Sequence, residues 1–380
     1  MIAQATAKLH EHLKSRVKPL HEQKVCISKK LKTTPVLREY IEENYSSRLY
    51  EFLLEHVNFN NPSHLVTETS SRFNIIKQPD DTLSEIVNLK RINDIRYLNN
   101  FFEVVNSKLL RGGTFIGCVE TKNLRKKRIL NKYPTGLNYI YYTLDFILKR
   151  VFPKLPVTKK IYFFLTRGNN RVITRAETLG RLISCGFQIQ ELELIQGNLY
   201  FVVRKEKAPL FPKNPTYGPL IRLKRVGKGG KIIKVYKLRT MHPYSEYLQD
   251  YVYRQNKLQQ NGKLKNDYRV CTVGQFLRKY WIDELPMLIN FFKGDLKLVG
   301  VRPISNHYFN LYSEELKQKR IHHKPGLLPP FYADLPKTME EIMESELKYL
   351  EAYEKHPLKT DWKYFWKVFV NIVFKKARSS

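Results

Sequence analysis

The stretch Phe276-Leu-Arg-Lys-Tyr-Trp-Ile-Asp-Glu-Leu-Pro-Met-Leu-Ile-Asn290 sets two acids, Asp283 and Glu284, side by side in a segment otherwise apolar and basic. Proline is tolerated in a helix only near its start, where its missing N–H would have no partner, so Pro286 places a helix start within about a turn upstream. That start falls on the acidic pair. Carboxylates there lie against the positive end of a helix dipole, which stabilises their charge and also suits a phosphate bridged by a metal. By itself the pair reads first as an acidic cap in front of Leu285, Met287, Leu288, Ile289 and Phe291.

The neighbourhood changes that reading. Upstream lies Arg225-Val-Gly-Lys-Gly-Gly-Lys231, then Val235-Tyr-Lys-Leu-Arg-Thr-Met241, and no acid interrupts the interval from Arg222 to Arg239. Apolar runs at Leu220–Leu223 and Ile232–Tyr236 flank the glycines, which predicts a β-hairpin with a basic glycine turn. Such a hairpin offers N–H groups and cations to phosphate, and on charge alone it reads equally as a ribbon for nucleic acid. Between hairpin and acids comes Asp267-Tyr-Arg-Val-Cys-Thr-Val-Gly-Gln-Phe-Leu-Arg278, and after them Gly294-Asp-Leu-Lys-Leu-Val-Gly-Val-Arg-Pro303.

These blocks, in this order, resemble the bacterial sugar transferase family, the monotopic polyprenyl-phosphate phosphoglycosyl transferases, from about Pro219 to the C-terminus. The third block matches the family pattern at Asp267, Arg269, Gly274, Leu277 and Arg278, with Cys271 where a threonine is expected. The last has Val301 in place of a proline, leaving Arg302 in register. The resemblance implies Asp283 as a carboxylate nucleophile, Glu284 as the ligand of Mg²⁺, and Lys237, Arg239, Arg278 and Arg302 as phosphate-binding cations. It further implies transfer of a sugar-1-phosphate from a nucleotide diphosphate sugar, a UDP-sugar by expectation, to polyprenyl phosphate through an aspartyl phosphosugar. Such transfer initiates cell-surface polysaccharide assembly on the cytoplasmic face of the bacterial inner membrane, with downstream glycosyltransferases as candidate partners. Charge explains the cations: one anion must attack another, and repulsion has to be offset by metal and guanidinium. His323-Lys-Pro-Gly-Leu327 resembles the next family block only at its start, which leaves the sugar unspecified.

Lys and Arg number 67 against 35 Asp and Glu, a formal net charge of +32, so a polyanionic partner is expected: nucleic acid, an anionic membrane surface, or phosphorylated substrates. With the resemblance, a membrane surface is expected and nucleic acid is not. Four cysteines (Cys26, Cys118, Cys185, Cys271) without C-x-x-C spacing argue against zinc and against a disulfide framework. No apolar run follows a basic start, and no run of about 18 uncharged apolar residues occurs, so neither a secretory signal nor an ordinary transmembrane helix is expected. Attachment is therefore monotopic or peripheral.

In the first half, helices are expected up to about residue 65, then a short buried strand at Phe73-Asn-Ile-Ile76, a further element at Leu83–Leu89 and an amphipathic helix over Tyr97–Leu110. Gly112-Gly113 is expected to end that helix and turn into a strand Thr114–Val119. This order, with a helix Arg175–Ser184 and a strand Leu199–Val203, resembles the later half of a class I methyltransferase core. No glycine precedes Gly112, however, so the turn that would approach a cofactor is missing. Leu137–Phe152 is too short and interrupted to span a bilayer and reads as an interfacial helix or one packed on the sheet. The aromatic-rich segment from Trp362 to Lys376, with Lys363, Lys367 and Lys375 able to share a face, carries the same two readings. The chain thus reads as an α/β Rossmann-like domain (1–204), a proline linker (205–216) and an α+β, mostly helical phosphoglycosyl transferase domain with a small β-hairpin (217–380). The alternatives are a basic nucleic-acid-binding protein, or a methyltransferase run from the first half.

Overall fold

The protein is described by a computed structural model, covering residues 34–210, 218–256 and 267–374. It divides into two compact units, Met1–Lys213 and Asn214–Ser380. The expected helices before residue 34, residues 211–216 of the proline linker, residues 257–266, and Lys375 lie outside the described residues.

The first unit runs α1 (Thr34–Asn44), α2 (Ser47–His56), β1 (His64–Thr67), α3 (Phe73–Ile76), β2 (Leu83–Arg91), α4 (Leu98–Lys108) and β3 (Leu109–Val119). It continues with α5 (Lys122–Lys132), α6 (Leu137–Phe146), a wide turn Ile147–Val151, α7 (Pro156–Thr166), α8 (Arg175–Ser184), β4 (Phe187–Ile195) and β5 (Asn198–Lys205). The strands form one sheet in the order β1-β2-β3-β5-β4, with β1, β2 and β3 parallel and β5 antiparallel to both neighbours. Parallel pairing needs crossovers that cover both faces, and both are covered. Leu37, Ile41, Leu49 and Phe52 of α1 and α2 pack with Val87, Ile116 and Val202. In a second aromatic group, Phe102 of α4 meets Phe115, which in turn meets Phe187 and Phe201 edge-on or tilted.

Two local expectations are corrected. Phe73–Ile76 is one turn of helix, not a buried strand: only Ile75 is buried, because apolar alternation over four residues cannot distinguish a strand from a single turn. Gly112 and Gly113 do not end α4, which stops at Lys108; they lie inside β3 as a bulge, with Leu83 paired to Leu109 and Glu85 already to Thr114. Gly112 has φ +82°, and a Cβ on Gly113 would stand 2.9 Å from the Ser84 carbonyl oxygen, so both positions require glycine.

The second unit opens with the hairpin β6 (Leu220–Val226) and β7 (Ile232–Leu238), paired from Leu220↔Leu238 to Val226↔Ile232. Its turn uses Gly229 and Gly230 in the left-handed region, as the glycine cluster predicts. There follow α9 (Gln249–Asn256), α10 (Thr272–Lys279), a 3₁₀ turn Ile282–Met287, α11 (Leu288–Phe292), β8 (Lys297–Val299), α12 (Asn306–Asn310) and α13 (Glu314–His322). The unit closes with β9 (Gly326–Leu328), α14 (Phe331–Asp334), α15 (Met339–Lys355) and α16 (Pro357–Val373). β8 and β9 pair in parallel, and Tyr349 of α15 is fully buried among Val299, Leu316, Tyr332 and Tyr364. The C-terminal helix packs as its core reading expects, with Tyr364 and Val368 in this core, while Trp362, Trp366, Phe369 and Val373 are exposed. No helix among the described residues is long and apolar enough to cross a membrane.

Candidate active site

The acidic pair is held between the hairpin and α10. Asp283 and Glu284 lie in the first turn of the 3₁₀ segment that follows Trp281, whose backbone is left-handed at φ +62°. The plain cap reading does not survive, since neither acid makes a side-chain cap and the apolar residues behind them divide. Met287 is buried, whereas Leu285, Leu288 and Ile289 are exposed. These acids therefore do not introduce a core helix. They stand beneath an apolar rim to which Val273, Phe276 and Phe292 also contribute exposed side chains.

Glu284 accepts a hydrogen bond and ion pair from Lys237 of β7, Nζ to Oε1, at 2.6 Å. Asp283 is 5% exposed, and its Oδ1 is buried without a hydrogen-bond partner. Burial, then the neighbouring Glu284 charge, pushes the Asp283 carboxyl above the usual aspartate range; Lys237 and Arg278 pull the other way and do not prevail. A buried carboxylate with an oxygen unpaired is costly, so it marks a group kept ready for something that binds to it.

Further cations arrive from α10, from β6 and from the segment after β8. Arg278, in the last turn of α10, donates Nε to Thr240 Oγ1 at 3.0 Å, and burial lowers its guanidinium pKa against the pull of Asp283 and Asp267. Arg302, after β8, is half-buried and feels Glu284 among its nearest charges. The Arg225 guanidinium of β6 is lowered in pKa by burial and then by the like charge of Arg302. Arg239 stands apart from the acid pair: its Nε donates to the Gly218 carbonyl at 3.0 Å and its electrostatic partner is Glu246. Its Nη2 is nevertheless buried and unpaired. Of the residues singled out in the sequence, Lys237, Arg278, Asp283, Glu284 and Arg302 come together, and Arg239 lies at the edge.

Several positioning residues were not legible beforehand. Asn290, fully buried, donates Nδ2 to the Lys234 carbonyl at 2.8 Å and accepts the Tyr236 N–H at 2.9 Å, which bolts α11 to β7 and fixes the acids against Lys237. A lone amide in Leu288-Ile-Asn-Phe-Phe292 was the available signal. Arg320, paired in the core with Glu346, donates to the Arg302 carbonyl at 2.6 Å and so holds that backbone. Val301, the residue in place of proline, is buried in the same core. Cys271 explains its own substitution: its Sγ accepts from Gly274 N at 3.2 Å and caps α10 as a threonine hydroxyl would.

A cleft of about 310 Å³ lies in the first unit at the carboxyl ends of the parallel strands, lined by Tyr45, Glu68, Arg91, Asp94 and Tyr200. Glu68 follows β1 directly, and no glycine stands at this turn.

Residues 211–375 match the family described as bacterial sugar transferase. The chain is 36% identical over 129 residues to the galactosyl transferase CpsE of Streptococcus agalactiae, covering 33% of this chain and 26% of that protein. It is 39% identical over 108 residues to the undecaprenyl-phosphate galactose phosphotransferase of Salmonella typhimurium, covering 27% of this chain and 22% of the other. A third relative, the putative undecaprenyl-phosphate N-acetylgalactosaminyl 1-phosphate transferase of Bacillus subtilis, is 45% identical over 92 residues, 23% of this chain and 44% of its own. The chain thus spans less than half the length of each of these relatives. Among solved structures, an S-adenosylmethionine dependent methyltransferase from Mesorhizobium loti aligns with a TM-score of 0.24 at 13% identity, over 42% of this chain and 86% of that one. So low a score assigns nothing to the first unit.

Proposed function

With residues 211–375 matching the family described as bacterial sugar transferase, we propose that this unit transfers a sugar-1-phosphate from a nucleotide diphosphate sugar to polyprenyl phosphate. The observation that carries the reading is Asp283, buried, with one oxygen unpaired, beside a lysine-bound Glu284 and within the field of Arg278. In the first step an Asp283 oxygen attacks the phosphorus that bears the sugar. The bond from that phosphorus to the bridging oxygen breaks, and the nucleoside monophosphate leaves with the electron pair. In the second step a phosphate oxygen of the polyprenyl acceptor attacks the same phosphorus, and Asp283 leaves as carboxylate.

The residues present fit a magnesium ion. Mg²⁺ favours one or two carboxylates completed by water and substrate phosphate, and among the described residues no group of three His, Cys, Asp or Glu could hold a metal unaided. Glu284, with Asp283 beside it, would hold the ion, which when bound supplies charge neutralisation on the diphosphate. Lys237, bound to Glu284 Oε1, orients that carboxylate, and Arg278 and Arg302 take non-bridging oxygens in the fork geometry that suits guanidinium. The exposed rim of Phe276, Leu285, Ile289 and Phe292 suits an acceptor that arrives in a lipid surface, and the cytoplasmic face of the inner membrane is where such a donor would be met.

The test combines purified protein, polyprenyl phosphate in detergent, a panel of labelled UDP-sugars and Mg²⁺, with lipid-linked product and released UMP as readouts. Asp283→Asn is expected to abolish product and the covalent phosphosugar adduct together. Near-normal turnover of that variant would remove the nucleophile assignment.

A further inference from the structure

Helix α6 is built inside out. Asn138 and Asp145 are buried and Tyr142 and Lys149 half-buried, a stripe of polar-bearing side chains at i, i+4, i+7 and i+11 turned towards the protein. Leu137, Ile140, Leu144 and Leu148 form the opposite stripe and are exposed. In a helix packed on a soluble domain the apolar stripe faces the core; here the orientation is reversed. The reversal is anchored. Arg125 of α5 grips Asp145 with two hydrogen bonds of 2.6 and 2.8 Å, and Lys149 adds an ion pair at 3.0 Å. Just beyond, Arg150 binds Glu177 of α8 and the Val172 carbonyl. Buried ion pairs of this kind contribute little net stability but specify orientation, because the charged side cannot turn outward without leaving a partner stranded.

The next helix continues the pattern. In α7, Val157, Ile161, Phe164 and Leu165 are exposed, Phe164 at 84% and Val157 at 75%, while Tyr162 is buried. Among the described residues nothing covers this apolar surface on two consecutive helices, and a surface of this extent needs an occupant.

Charge names the occupant. Asp145 is the sole acid between Glu120 and Glu177, and all three are buried. Lys126, Lys127, Lys132, Lys159, Lys160 and Arg167 are exposed around the same helices. A second copy of this chain would bring like charge against like. An anionic lipid surface accepts both features: leucine, isoleucine and phenylalanine enter the acyl boundary, and lysines meet the headgroups. Tyr139 and Tyr141, exposed on α6, suit headgroup depth.

We propose that α6 and α7 form a docking face that seats the first unit in the plane of an anionic bilayer. This concerns the unit outside the sugar transferase match and does not rest on transfer chemistry. The test uses the full chain with phosphatidylglycerol-containing vesicles free of polyprenyl phosphate, reading vesicle sedimentation and local hydrogen exchange. Exchange across residues 137–166 is expected to slow on vesicles and not on pure phosphatidylcholine. Ile140→Asn with Phe164→Asn is expected to remove that local slowing and weaken partitioning by about tenfold or more, with thermal unfolding unchanged. Should that pair fail to fold, Lys159→Gln with Lys160→Gln, on exposed lysines, is expected to weaken partitioning about tenfold. Vesicle binding with no slowing at 137–166, or slowing that follows protein concentration without lipid, would overturn the proposal in favour of another occupant. Loss of sugar transfer with docking intact would bear only on the second unit.

Discussion

Replacing Gly274 by alanine isolates how α10 positions Arg278. A Cβ there would lie 2.0 Å from the Thr240 carbonyl oxygen and 2.6 Å from its carbon, both backbone atoms that no rotamer change can clear. Ordinary carbon–oxygen approach begins near ~3.3 Å, so α10 must retreat by about 1.3 Å. Arg278, one turn further along α10, is held to Thr240 Oγ1 at 3.0 Å, and a retreat of that size breaks the bond and withdraws the guanidinium from Asp283. Misplacement of a positioning group by about 1 Å costs on the order of 10²-fold in rate, and overpacking of this kind costs about 1–3 kcal/mol in stability. The assay is initial rate of lipid-linked product alongside thermal unfolding, with Gln275→Ala, exposed on the same turn, as the control for helix propensity. Gly274→Ala turning over within about threefold of the unmodified protein at an unchanged Tm would refute the claim that this contact sets the site.

Three further outcomes follow from the same geometry. Lys237→Met keeps the aliphatic stem but strands Glu284; because both groups retain some solvent contact, the loss is below that of a fully buried pair, about 2 kcal/mol or roughly 30-fold in kcat, and an unchanged kcat would show the pair to be incidental. Cys271→Thr restores a stronger oxygen cap on Gly274 N and should gain a few tenths to about 1 kcal/mol in urea unfolding; a loss would mean that the thiol is needed for packing. Glu177 is held well below the ordinary glutamate range because Arg150, Lys154 and Arg181 overcome the opposing effect of burial. Its stabilisation is therefore complete above the unfolded value of about 4.5 and lost as pH falls through the lower folded value. Glu177→Gln should destabilise the first unit at neutral pH by about 3–5 kcal/mol and flatten its acid unfolding profile, measured by circular dichroism; an unchanged profile would place the acid sensitivity elsewhere.

Much of the second unit was legible because its signals are local or electrostatic. The run of cations from Arg222 to Arg239 around Gly229 and Gly230 can fold back only as a hairpin, and Pro286 places a helical start on the acids. What the string could not carry was direction. Pro286 predicted a helix but not that Leu285, Leu288 and Ile289 behind the acids would face outward, a choice made by Asn290 when it binds strand β7. Gly112-Gly113 has the composition of a helix stop and became a bulge, because strand pairing between β2 and β3 has the last word on register.

The amino-acid sequence by itself determined which groups were available: two adjacent acids, four spaced cations, a glycine turn, and a first half without a cofactor turn. Tertiary structure alone decided which of them share a site, leaving Arg239 at the edge and bringing Thr240, Asn290 and Arg320 in as supports. It also decided that α6 turns its polar side inward, since Arg125 comes from α5 and no periodicity within Leu137–Phe146 records where that countercharge of Asp145 lies. Periodicity encodes a helix's two faces; only the partners brought by the rest of the chain determine which face is buried.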